Sequence, residues 1–251
     1  MSTADRTARG DGNGQMKRIL DYAALGGPAA LVVTLTGWLV SGMLPLPMGP
    51  SSSSPDVVAF FTEDPNRVMA GFVVSSIGVV LMLPMLALIS VHMLRMEGRV
   101  PLMAFTQLMA AATTVIINMF PQLIFAIAAF RADRDPGDIV LLNDTAWLLL
   151  FTGITPFMVQ NVAIAVAILR DGSRVFPRWL GYLNLLVAFA FIPDVLAYFF
   201  KTGPFAWNGV FVFWLALTAY SVFLVAMSVA CRRANASLGV VGLPQPVTAG
   251  A

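Results

Sequence analysis

Long apolar runs alternate with short polar connectors along this chain. The runs cover approximately 24–44, 68–94, 101–130, 144–169, 179–200 and 207–230. A helix crossing the hydrocarbon of a bilayer needs about 20 mostly apolar residues, since each residue adds about 1.5 Å. Every run reaches that length, so the pattern predicts an all-α polytopic bundle of six transmembrane helices. It divides the chain into a disordered tail over 1–20, polar and Gly-rich, a transmembrane domain over 21–231 and a second disordered tail over 232–251. Basic residues ahead of the first run resemble a signal peptide. No small-x-small cleavage site precedes Pro45, so that run is read as a retained span.

The connectors carry turn chemistry. Pro45, Pro47, Gly49 and Pro50 lead into a serine run over 51–54, and Ser54-Pro55-Asp56 is a helix-start signal. Residues 56–64 then form a short amphipathic helix, expected to lie on the outer interface. Spans two to five each hold one proline away from their ends: Pro84, Pro121, Pro156 and Pro193. Each should kink its helix and free a backbone carbonyl.

Composition supports lipid as the solvent. Charged residues make up 11% of the chain and apolar ones 58%, where a soluble domain carries roughly a quarter charged residues. Of 15 basic residues, four (Arg67, Arg131, Arg134, Lys201) fall on one face of the predicted arrangement and the rest on the other. By the positive-inside rule both termini are cytoplasmic. The basic balance therefore reports membrane orientation and not a nucleic-acid surface. A single cysteine, Cys231, allows no internal disulfide.

Candidate chemistry is sparse. Asp194 is the one acid away from the ends of a run, directly after Pro193 and about 10 Å from the outer end of its helix. A charged residue at such depth costs about 2.5–3.5 kcal/mol and usually faces the bundle interior or a wet cavity. On an α-helix, Tyr198 at i+4 shares its face and can bond the carboxyl. Such an acid reads either as a protonatable or ligand-binding group, or as a near-interface acid pinned by Tyr198 and water. Gln107, Thr114, Asn118 and Gln122 form a polar stripe within roughly 80° of the third span. That stripe either lines a cavity or bonds neighbouring helices, and Gln160-Asn161 in the fourth span fits both. Trp207 and Trp214 belong to an aromatic group at the outer ends of the last two spans. They read as an interfacial belt or as the wall of a pocket beside Asp194.

Several activities lack their residues. His92 is the single histidine, which leaves no histidine-rich metal site, and its place near the end of span two suggests an interfacial role. No lysine lies mid-span, and no P-loop, GxSxG or HExxH motif is present. No cofactor and no metal site is expected.

The residues FPRWLGYLN and GPFAWNG over 176–209, with DVVAFFTEDPNR over 56–67, resemble six-span bacterial membrane proteins of an actinobacterial type. The likeness spans roughly 25–230 and implies a multi-pass protein of the bacterial plasma membrane. It supplies no catalytic residue. Three functions stay open. One is binding or transport of a small apolar or amphiphilic ligand near Asp194, with Tyr198, Asn118, Gln122, Gln160, Asn161, Trp207 and Trp214 as candidate contacts. A second is an accessory or structural subunit. A third is an intramembrane enzyme using Asp194 as an acid. The lipid bilayer is the expected partner in each case, and no nucleic acid.

Overall fold

The computed structural model describes residues 3–238 apart from 132, 154 and 173, with side chains described for 14–236 apart from those three and 152. Among the described residues there is no strand. Six helical stretches among the described residues are long and apolar enough to cross a membrane: Gly14–Ser41, Pro65–Glu97, Leu102–Phe130, Pro136–Asp171, Arg178–Tyr198 and Val210–Ala236. The protein is an all-α, multi-pass membrane bundle. An even number of crossings returns the chain to the face on which it began. That face is termed inner below, and the one carrying residues 42–64 outer.

The first helix, α1 (Thr3–Ala24), passes at Leu25 into α2 (Gly26–Ser41). Once a helix is nucleated, each further residue adds one hydrogen bond, so a packed end propagates into a polar stretch. Asp21 supplies that packed end by accepting from Asn235 Nδ2 at 3.0 Å. Residues 232–238 likewise continue the last helix, α10 (Leu215–Leu238). The remainder of the predicted C-terminal tail, 239–251, lies outside the described residues.

Prolines set where spans break. Proline lacks the N–H for an intrahelical bond and collides with the carbonyl four residues back, yet fits the first turn of a new helix. In the second span α4 (Pro65–Val80) stops, and α5 (Leu83–Glu97) restarts with Pro84 in its first turn. In the fourth, α7 (Pro136–Thr152) ends at Gly153, and α8 (Thr155–Asp171) resumes beside Pro156. In the fifth, α9 (Arg178–Ala190) gives way to a 3-10 turn over Ile192–Tyr198 that contains Pro193. The third span, α6 (Leu102–Phe130), instead runs through Pro121 without a break.

Lipid offers no hydrophobic drive for helix association, so small and polar residues make the seams. Gly71, Ser75 and Gly78 of α4 meet Thr34, Gly37 and Ser41 of α2. A Cβ on Gly78 would sit 2.6 Å from Thr34 N, and Ser75 Oγ donates to Thr34 O at 3.1 Å. Gln107 of α6 binds α5, donating to Leu86 O at 3.3 Å and accepting from the Ser90 hydroxyl.

The inner ends are tied by charged and polar groups. Glu97 caps α6, accepting from Met103 N and Ala104 N at 2.9 and 2.7 Å. The buried Asp171 carboxylate holds the following loop through Arg174 Nε at 3.0 Å and Val175 N at 2.9 Å. His92 is fully buried, not interfacial as the sequence suggests. Its Nε2 lies 3.0 Å from Asn235 Oδ1, so one polar chain joins α5, α10 and α1.

At the outer end α3 (Ser54–Thr62) is capped by Ser53 Oγ, which accepts from Asp56 N at 3.3 Å. Its apolar face turns into the protein and not toward the membrane interface as the pattern predicts. Val57 and Phe61 are buried, and Phe61 stacks on Phe125 with ring centroids 6.3 Å apart. Trp147 stacks on Trp207 at 5.9 Å beside them. Phe199, Phe200, Phe211 and Trp214 stay exposed, in the manner of a belt.

Candidate functional site

Backbone geometry explains how an acid comes to be fully buried. At Pro193 the α-helical bonding of the fifth span fails, and the chain tightens so that Asp194 N bonds Phe191 O at 3.2 Å. A 3-10 helix has about three residues per turn, so i and i+3 share a face. Burial follows that period: Phe191, Asp194 and Ala197 are buried, whereas Ile192, Val195 and Tyr198 are exposed. Tyr198 therefore does not share the face of Asp194, as α-helical spacing would have it. The tighter turn swings it about 120° away, and its hydroxyl donates to Leu148 O at 3.4 Å.

Among the described residues, neither oxygen of the Asp194 carboxyl has a hydrogen-bond partner. Lys201 is exposed at the outer end, and the ion pairs among the described residues are Arg67–Asp64 and Arg174–Asp171. Burying a polar group without a partner costs about 1–3 kcal/mol, and more for a charge. A group kept at that cost calls for an explanation beyond packing.

The carboxyl lines a cavity with about 80 Å³ open to the centres of water-sized molecules. One water needs roughly 10–15 Å³ on that measure, so the space suits several waters or one small organic molecule. Leu31, Leu35 and Trp38 of α2 form one wall, and Asn118 and Gln122 of α6 another. Four spans reach the cavity at irregular backbone, three where their helix is interrupted and the last at its opening turn. Met82 lies at the α4–α5 break and Phe151 just ahead of the α7–α8 break. Asp194 sits on the 3-10 turn, and Phe213 sits in a π-helical turn, Val210–Trp214, that opens the last span.

Two sets of contacts bound the cavity. Toward the outer face, Trp38 Nε1 donates to Gln122 Oε1 at 2.8 Å, and the Trp38 ring meets Phe213 at 5.9 Å. Toward the inner face, Phe157 packs edge-on against Phe191 at 5.0 Å and Tyr220 at 5.1 Å. The Tyr220 hydroxyl donates to Met82 Sδ at 3.0 Å.

Of the residues singled out from the sequence, Asp194, Asn118 and Gln122 meet at this cavity. The others lie elsewhere. Gln160 and Asn161 are fully buried on α8, about one turn inward of Phe157, whose ring stands at the inner end of the cavity. Trp207 belongs to the outer aromatic cluster and donates Nε1 to Met48 O at 2.8 Å. Trp214 turns to a groove on the outer face that also holds Lys201. The α6 stripe splits in role. Gln107 and Gln122 bond other helices, while Thr114 and Asn118 donate to Ala110 O and Thr114 O of their own helix at 2.8 and 2.9 Å.

Trp38, Phe191 and Tyr220 line the cavity without having been marked by the sequence reading. Two signals were available. Phe191 stands three residues before Asp194 across a proline-forced helix end, and an indole inside a span must find an acceptor. Nothing in the pattern marks Tyr220. No protein-family model, curated protein or solved structure matches the chain.

Proposed function

We propose that the protein binds, and moves within or across the membrane, a small apolar or amphiphilic molecule held in the Asp194 cavity. The supporting observation is the convergence of three interrupted spans, and of the π-helical turn that opens the last one, on a buried carboxyl that no group among the described residues satisfies. Irregular backbone at membrane depth is tolerated where it is covered by protein or lines a cavity. Secondary transporters build substrate sites from discontinuous helices of this kind. Apolar walls from Leu31, Leu35 and Leu217 beside one carboxyl suit a molecule that is apolar along most of its length and polar at one end.

The accessory-subunit reading accounts for the α2–α4 seam and for Gln107, but gives no use to the unsatisfied carboxyl. For an enzyme, Tyr220 is the one other titratable side chain among the described residues lining the cavity, and its hydroxyl already donates to Met82. That is no acid–base pair. The asymmetry of basic residues supports placing the inner face in the cytoplasm of a bacterial plasma membrane.

Ala216 lies buried at the cavity wall, so Ala216→Phe fills the space. Native mass spectrometry of protein released from its own membranes should show an added small-molecule mass on the parent. The same mass should be absent from a folded Ala216→Phe variant. Identical spectra for parent and variant would overturn the proposal.

A further inference from the structure

We infer that the ligand of this cavity is a small lipophilic cation, an ammonium-type head on an apolar body, with Asp194 as its counter-charge. The inference rests on the ligand-binding reading above and narrows it to one chemical class. Among the described lining residues Asp194 is the single charged side chain, and no lysine, arginine or histidine accompanies it. An anion would meet the carboxyl without any compensating donor. A purely apolar ligand would leave both oxygens as unsatisfied as they are now.

The remaining polar groups do not offer an alternative code. Gln122 uses Oε1 for Trp38 and Nε2 for Asn118 O, the Asn118 amide donates within its own helix, the Thr34 hydroxyl donates to Ser75 O, and the Tyr220 hydroxyl donates to Met82 Sδ. What the walls add is aromatic surface: Trp38, Phe151, Phe191, Phe213 and Tyr220 line the same space. Ring faces carry negative charge density and attract desolvated cations, and aromatic cages bind quaternary ammonium groups on this basis. One carboxyl among five rings selects positive charge more than any hydrogen-bonding pattern. The space suits a compact head with a body about the size of one ring.

Phenyltrimethylammonium and tert-butylbenzene test this, because they share a shape and differ in charge. Both are titrated against the full-length protein in lipid nanodiscs, with melting temperature and calorimetric Kd as readouts. Phenyltrimethylammonium should bind the parent and raise its melting temperature, and Asp194→Asn should weaken it roughly tenfold or more. tert-Butylbenzene should bind more weakly and equally to parent and variant. Should Asp194→Asn not fold, Phe213→Leu keeps the carboxyl and removes a ring; it should weaken the cation and leave tert-butylbenzene unchanged. Equal binding of the two probes, or undiminished cation binding by the variants, overturns the cation assignment and leaves the cavity reading intact. Failure of both probes on the parent, with Ala216→Phe carrying the same masses as the parent, overturns both.

Discussion

The indole of Trp38 donates to Gln122 Oε1 at 2.8 Å, joining the first and third spans at the outer end of the Asp194 cavity. Trp38→Phe and Gln122→Leu should each lower the melting temperature. Interhelical hydrogen bonds in membranes average about 0.6 kcal/mol and reach about 1.7. A double-mutant cycle on the pair should return a coupling of that size, and strict additivity would show that the bond contributes nothing.

The seam between α2 and α4 depends on the absence of side chains. Gly78→Val would drive a branched side chain into the Thr34 backbone, and loss of folded, monodisperse protein is expected. Gly14, with nothing within 4 Å of a built Cβ, should accept alanine without consequence. Size-exclusion profiles of the two variants make the comparison.

Much of this was legible in the sequence, for physical reasons that also explain what was not. Span positions follow from apolar length, and Pro84, Pro156 and Pro193 mark the breaks because a missing N–H acts locally. Pro121 does not break α6, which shows that the surroundings of a proline decide how far its effect carries. Asp194 stood out because charge at depth is costly wherever it occurs. Tyr198 was misplaced beside it because the helical period changes from about 3.6 to about 3.0 residues per turn after Pro193. Gln160 and Asn161 resemble Asn118 and Gln122 in composition, but they lie about one turn inward of Phe157, at the inner end of the cavity. Which pair meets the cavity depends on the depth and rotation each helix takes in the bundle, and both are properties of packing.

The contacts of the buried His92 and the half-buried Asp21 with Asn235 should be structural. Asn235→Leu leaves both groups without their partner at 3.0 Å. A destabilisation of about 1–3 kcal/mol is expected, read as a lowered melting temperature. Unchanged stability would show that water replaces Asn235 at no cost.

Topology can be tested with thiols. Cys231 is buried and should resist maleimide in the folded protein. In a Cys231→Ser background, Ser51→Cys should react with an impermeant maleimide on intact cells, and Arg233→Cys should react only after the inner face is opened. The reverse pattern would invert the orientation drawn from the basic residues.

The central claim is that Asp194 faces a hydrated cavity and not lipid or a sealed helix contact. Thiols react as thiolates, which form in water and not in hydrocarbon. Asp194→Cys and the lipid-facing control Phe189→Cys, each in a Cys231→Ser background, can be timed against a small water-soluble methanethiosulfonate. Asp194→Cys should be modified in the folded protein while Phe189→Cys, at a position 68% exposed in the parent, should be spared. Modification of Asp194→Cys only after unfolding would contradict the claim.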